Sequence, residues 1–295
     1  MAFELPSFAK INWTLRVLGK RQDGFHELCT VFQTVSLCDT LAFEEVDELE
    51  LTCDDPRIST DESNLIVKAV RALQDAIPSV RGRGARIQLT KRIPSPGGLG
   101  GGSSNAAVAL IGLCRLWEVD RPDELPEIAA SLGSDVPYFL VGGTALGTGR
   151  GDKIEPLPDV GADNLLIVTP DVAISTGSIF GSTGLPILTE DELVRKLTVC
   201  RNEAPGFSLR RSELKNDLEG AVAARFPEVE RVKAALVELG ASVAAMSGSG
   251  ASVFAVFDKQ ETRQAVIKAL GGESTWRVFA VSTISRAVYR EALGL

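Results

Sequence analysis

The sequence predicts an α+β protein of two domains, and three observations carry that reading. Helical periodicity and short strands are mixed in both halves, without a regular βαβα repeat. A chain of 295 residues is longer than one compact domain usually is. Midway, the Gly- and Pro-dense stretch "YFLVGGTALGTGRGDKIEPLPDVGADN" breaks every pattern, which puts a domain junction near 154–161. The expected division is residues 1–155 and 156–295.

The elements follow in order. Ile11, Trp13, Leu15 and Val17 alternate with Asn12, Thr14 and Arg16, a period-2 strand with one buried face. "QDGF" supplies an Asp-Gly hairpin signal, and "ELCTVFQTVSL" is the returning strand. After Ser63, Ile66, Ala69, Val70 and Leu73 share one helix face. Ile87 and Leu89 mark a strand running into "IPSPGGLGGGSSNAAVALIGLCRLW", where a long helix is expected from about Asn105. Leu125, Ile128, Ala129 and Leu132 form a further helix stopped by Gly133. Beyond the junction come strand "NLLIVTP", helix "PEVERVKAALVELG", strands "SVAAM" and "ASVFAVF", helix "ETRQAVIKALG" and strand "WRVFAVST".

Composition removes several function classes. The longest apolar run, Ala106–Cys114, falls far short of the roughly 20 residues of a membrane span, and the N-terminus lacks a secretory pattern. Five cysteines without a C-x-x-C pair fit neither a disulfide framework nor a zinc knuckle. The expectation is a cytoplasmic protein with reduced thiols. A net charge of −8 disfavours nucleic acid. A single histidine, His26, rules out every multi-His metal site.

Five glycines lie within the six residues Gly97–Gly102, with Leu99 the only side chain among them. Glycine loses the most entropy on ordering, so something must approach this backbone closely. Neither Walker A nor the dinucleotide fingerprint fits, since no lysine follows the loop and Ser103 stands where a third glycine belongs. The shared physics holds nonetheless: bare N–H groups and a helix N-terminus attract phosphate, and Ser103 and Ser104 are placed to cap the helix or donate to phosphate oxygens. A tight strand-to-helix turn is the competing explanation. Three further stretches are bland when taken singly. Lys10 and Asn12 in "FAKINWTL" read as a solvated strand face, Asp135 in "GSDVPYFL" as a turn residue, and Gly248 and Gly250 in "AMSGSGASVFAVF" as a tight hairpin.

Together these stretches resemble the GHMP superfamily of galactose, homoserine, mevalonate and phosphomevalonate kinases. Within it, "AKIN", "GKRQDGFHEL", "FQTVSL", "SNLIVKA", "GLGGGSSNAA", "LGSDVPYFL", "GRGDKIEPLP", "NDLE" and "SGSGASVFAVF" appear in the order seen in kinases of 4-diphosphocytidyl-2-C-methyl-D-erythritol. The resemblance implies a two-domain GHMP-kinase fold: a ribosomal protein S5 domain 2-like ATP-binding domain (1–155) and a ferredoxin-like substrate-binding domain (156–295). The hairpin 11–32 can pack with the second domain.

It also implies roles. Asp135 would be the catalytic base, with Lys10 its cationic partner. Pro94, Ser95, Pro96, Gly97, Gly98, Leu99, Gly100, Gly101, Gly102, Ser103 and Ser104 would wrap the ATP phosphates, with Asn64 and Leu65 near adenine. Mg2+ would bridge the β- and γ-phosphates, with no protein ligand assigned beyond the hydroxyl of Ser103 or Ser104. On the acceptor side, Phe25 and Phe180 would sandwich the cytosine, His26 would bond its edge, Thr176 would lie nearby, and Asn12 would touch acceptor phosphate. The partner is this small molecule alone, with no nucleic acid and no membrane, and the assembly a monomer or weak homodimer. Two residues depart from the family pattern: Pro96 replaces a usual glycine and removes an N–H, and Phe25 replaces a usual tyrosine. Against this stand a kinase of another small alcohol, a nucleotide-binding regulator without chemistry, and a sister diphosphate decarboxylase. The Phe25–His26 hairpin disfavours the first and third, and the intact Lys10 and Asp135 motifs the second.

Overall fold

The computed structural model describes residues 2–181, 184–209 and 214–295. Its strands are β1 (Phe3–Lys20), β2 (His26–Glu44), β3 (Leu49–Cys53), β4 (Ala85–Thr90), β5 (Thr144–Gly149), β6 (Lys153–Pro156), β7 (Leu165–Pro170), β8 (Val243–Met246), β9 (Val253–Val256) and β10 (Trp276–Val281). Its helices are α1 (Leu65–Ala76), α2 (Gly101–Leu116), α3 (Leu125–Leu132), α4 (Thr176–Gly181), α5 (Glu190–Glu203), α6 (Glu219–Ala223), α7 (Pro227–Glu238), α8 (Gln260–Leu270) and α9 (Arg286–Leu293).

The first sheet runs β3-β4-β2-β5-β6, with β1 pairing β2. Its apolar face packs on α1 and α2 around Phe43, Leu73, Leu110 and Trp117. The second sheet runs β10-β7-β9-β8, all antiparallel. With helices between β7 and β8 and α8 between β9 and β10, this is the ferredoxin-like arrangement. The first sheet ends at Pro156 and the second begins at Leu165.

The β1–β2 hairpin joins the two sheets. Ile11, Trp13 and Val31 share a cluster with Leu165, Ile167 and Phe254 of the second sheet, and the Trp13 ring meets Phe254 edge-on at 5.3 Å. Further out, the Leu15 N–H donates to the Lys215 carbonyl, and the Asp217 N–H to that of Leu15. The expected alternation of β1 fails between Ala9 and Trp13, where both faces are buried. The reason is that the glycine loop packs on β1: the Lys10 N–H donates to the Leu99 carbonyl along the strand edge, and a Cβ on Gly100 would sit 3.0 Å from Lys10 Cγ on the polar face.

The helix expected from Asn105 begins four residues earlier. Gly100 is its N-cap, in the left-handed region at φ 69, and no side chain caps it. Ser103 and Ser104 therefore lie inside the first turn instead of capping it. The Ser7 hydroxyl donates to that of Ser104, which is fully buried.

What approaches the glycines is largely protein. A Cβ on Gly98 would sit 2.2 Å from the Ser247 carbonyl oxygen, and φ there is +72. One on Gly100 would sit 2.9 Å from the Phe139 ring and 3.0 Å from Lys10 Cγ. By contrast, a Cβ on Gly102 would meet only Leu65, at 3.8 Å. Gly98→Ala should therefore destabilise the protein by about 2–4 kcal/mol, from left-handed backbone and overpacking together. Gly102→Ala should cost at most about 0.5 kcal/mol, as an unstrained site inside a helix does. Urea unfolding of the two variants measures the difference, and equal stability would contradict it.

Candidate active site

Lys10 sits mid-strand on β1 with its side chain 3% exposed. A buried ammonium needs compensation, and three side chains supply it, with a glycine turn packed close by. Its Nζ donates to Asn12 Oδ1 at 2.6 Å and lies 3.3 Å from Asp135 Oδ2. It stands 5.6 Å from the Phe32 ring centroid on β2, and a Cβ on Gly248 would come within 3.2 Å of it. Asn12 is fixed in turn: its Nδ2 donates to Thr30 Oγ1 at 2.7 Å, and that hydroxyl donates to the Thr14 carbonyl. Asp135 lies in the turn after α3, between the Gly133 stop and Pro137. Its side chain is 32% exposed, so one carboxylate oxygen faces Lys10 while the group still reaches open space.

That space is a cleft of about 740 Å3 between the sheets. It brings together Lys10, Asn12, Phe25, His26, Leu65, the whole run 94–103, Asp135, Thr176 and Phe180. Two residues expected there lie outside its lining. Asn64 caps α1, its Oδ1 accepting from the Ile66 N–H and its Nδ2 donating to the Ser59 carbonyl. Ser104 points into the core. Ser103 does line the cleft, its hydroxyl beside Gly133, just before Asp135.

At the loop, the N–H groups of Gly101, Gly102 and Ser103 have no intrahelical acceptor, because Ser104 is the first to bond back, to the Gly100 carbonyl. The second glycine turn closes the other side. The Ser252 N–H donates to the Gly97 carbonyl at 3.1 Å, and the Ser247 hydroxyl to the Gly98 carbonyl at 3.0 Å. The turn is held by Asn216, whose Nδ2 donates to the Met246 and Gly248 carbonyls.

Sequence reasoning missed the support beneath this loop. Lys91 Nζ pairs with Asp39 Oδ2 at 2.6 Å and donates to the Ile93 carbonyl. Asp39 also accepts the N–H groups of Arg92 and Ile93 and the Asn105 amide. No spacing in the sequence joins Asp39, Lys91 and Asn105, which only the fold brings together.

At the hairpin end, the His26 and Phe180 rings lie 5.4 Å apart, and the Thr176 and Ser249 hydroxyls share a hydrogen bond of 2.8 Å. Phe25, 52% exposed, carries the Arg150 guanidinium at 5.0 Å from its centroid. Arg150 lines the same cleft and was not anticipated. Asp23, bonded to Arg21, is held below the usual carboxylate range. No group of three or more His, Cys, Asp or Glu able to hold a metal occurs among the described residues.

A buried lysine paired with an aspartate thus stands near the N-terminus of α2, on this pair of sheets. The family model described as GHMP kinases N terminal domain matches residues 64–143, and that described as GHMP kinases C terminal matches 205–274. The 4-diphosphocytidyl-2-C-methyl-D-erythritol kinase of Solibacter usitatus is 40% identical over 98% of this chain and 92% of its own length. That of Caldanaerobacter subterraneus is 38% identical over 88% and 90%. A crystal structure of 4-(cytidine 5'-diphospho)-2C-methyl-D-erythritol kinase superposes with a TM-score of 0.74 at 30% identity, covering 95% of this chain and 99% of that one. The chain belongs to the 4-diphosphocytidyl-2-C-methyl-D-erythritol kinase family. Kinases of the GHMP class take ATP as co-substrate.

Burial, aided by the nearby positive charge of Lys20, lowers the His26 pKa below its ordinary value of 6.5. Both effects disfavour the imidazolium, so the ring is neutral at pH 7. As His26 is the sole histidine, its C2 proton resonance can be followed without ambiguity. The expected NMR titration midpoint lies below 6.5, and one at or above 6.5 would show that the ring is not desolvated as described.

Proposed function

We propose that this chain transfers the γ-phosphoryl group of ATP to the 2-hydroxyl of 4-diphosphocytidyl-2-C-methyl-D-erythritol, a step of the non-mevalonate (MEP) isoprenoid route. The Lys10–Asp135 pair at 3.3 Å, facing one cleft with the glycine loop, is the observation that carries this reading. The family relatives supply the acceptor's identity.

The cleft divides by chemistry. Residues 94–103 and the free N–H groups at the start of α2 take the triphosphate, with Leu65 against the base; this is the work of residues 1–155. The hairpin tip and α4 of the segment 156–295 take the cytidine end, with Phe25, His26, Thr176 and Phe180 around the ring. Asn12 sits between them, near the acceptor phosphates.

Asp135 accepts the proton of the attacking hydroxyl as the oxygen reaches phosphorus. Lys10, 3.3 Å from Asp135, offsets the charge growing on the alkoxide and the transferring group. Phosphoryl transfer passes through a loose transition state, so positioning and charge neutralisation are most of what the protein must supply. Mg2+ would be held chiefly by the phosphates, with the Ser103 hydroxyl on the cleft lining as a protein oxygen that could reach it, and it would screen phosphate charge. Ser104, bonded in the core, is not available for it.

A panel assay of ATP consumption tests the reading: turnover with 4-diphosphocytidyl-2-C-methyl-D-erythritol, and at most traces with homoserine, mevalonate or galactose. Asp135→Asn should lower kcat by about 10²–10⁴-fold, the usual range for general-base catalysis, while the Kd of each substrate stays within a few-fold. Turnover near the wild-type rate would remove Asp135 from the base role.

A further inference from the structure

One residue of the "DGFHEL" stretch has no part in the chemistry above. Glu27 is a carboxylate at the start of β2, 2% exposed. Burying a carboxylate is unfavourable unless its charge and its lone pairs are met, so what meets them shows what it holds. Oε1 accepts the Gly149 N–H at 2.8 Å. Oε2 accepts from Arg21 Nη1 at 2.9 Å.

Both partners lead to the cleft. Arg21 also bridges Asp23, through Nε at 3.2 and 3.0 Å. Asp23 Oδ1 accepts the Phe25 N–H at 3.1 Å. The chain Glu27–Arg21–Asp23 thus ends on the backbone of the exposed ring that we assign to the cytosine. On the other side, Gly149 ends β5 and is followed by Arg150, whose guanidinium covers Phe25. Next comes Gly151, where a Cβ would lie 4.0 Å from Asp135 Oδ1. A single buried carboxylate therefore joins the turn bearing Phe25 to the turn that runs between Phe25 and Asp135.

We infer that Glu27 is a positioning residue that fixes the acceptor-recognising hairpin tip relative to Asp135, and so governs acceptor binding separately from ATP binding. The inference rests on the placement of the acceptor at the hairpin. Glu27 touches neither substrate; it acts through Arg21 and Gly149.

Glu27→Gln keeps the shape and an acceptor for Gly149 but removes the charge facing Arg21. Steady-state kinetics should give an acceptor KM raised about tenfold and an ATP KM unchanged within about twofold, as expected for one member of a hydrogen-bonded network. The decisive readout is a double-mutant cycle. In a Phe25→Ala background the same substitution should raise acceptor KM by no more than about twofold, because the group being positioned is gone. A general loosening of the fold would instead raise both KM values, and would act equally in either background. Either result overturns the inference, as does an unchanged acceptor KM. If Glu27→Gln does not fold, Arg21→Gln, at a side chain 30% exposed, should show the same acceptor-selective shift, and its absence overturns the inference equally. Phe25→Ala separates the two levels. If it alone leaves acceptor KM unchanged, the acceptor does not bind at the hairpin and both readings fall. If it raises acceptor KM while Glu27→Gln is silent, only the role of Glu27 falls.

Discussion

An ammonium group buried at 3% exposure is the constraint on which the rest of this structure converges. Left without partners, a charge there would carry the full cost of its lost hydration. It is kept by an amide from its own strand, a carboxylate from the turn after α3, an aromatic face from β2 and a glycine turn from the second sheet. These come from points up to 238 residues apart in sequence, Lys10 to Gly248. A charge that must be matched from so many sides forces those elements into one place, and that place is the cleft.

The glycines follow from the same convergence. The glycine run predicts a close approach to the loop backbone, either by a ligand or by a tight strand-to-helix turn. Most of the contact is internal: Gly98 lies against Ser247, Gly100 against Lys10 and Phe139. Only Gly102 is open. The two views agree once the geometry is considered, because packing the loop onto β1 and the Ser247–Ser252 turn is what leaves the N–H groups of 101–103 aimed outward and unused. The face open to the cleft is what remains after the other face has been used for packing.

Sequence carried the architecture and most of the cleft, for definable reasons. Strands such as "NLLIVTP" and helices such as "ETRQAVIKALG" announce themselves by period, and the glycine run and "DGFHEL" are contiguous, so a linear reading can find them. It misplaced Asn64 and Ser104, whose side chains are taken up by a helix cap and by the core. It also placed the start of α2 too late, since a left-handed glycine cap leaves no side-chain signal. It could not find Asp39–Lys91–Asn105 or Arg150, because these are assembled by β2, β4, α2 and the β5 end meeting in space. Lys10 was legible only as part of a family pattern; its period-2 position argued for solvent, and burial reversed that.

The fold itself does not choose the acceptor. A homoserine kinase from Cytophaga hutchinsonii superposes with a TM-score of 0.68 at 22% identity, and a mevalonate kinase with 0.67 at 15%, so the two-sheet frame alone is common ground. Here one pair of strands reaches two parts of the cleft: its inner part holds Lys10 and Asn12 near Asp135, and its tip presents Phe25 and His26. The inner part is held by backbone bonds and a shared core, and the tip adds to its own backbone turn bonds the side-chain ties of Glu27, Arg21 and Asp23. Side-chain ties can be exchanged without disturbing the strand pairing beneath them. A tip tied in this way can change its side chains while Lys10 and Asp135 keep their pairing deeper in the cleft.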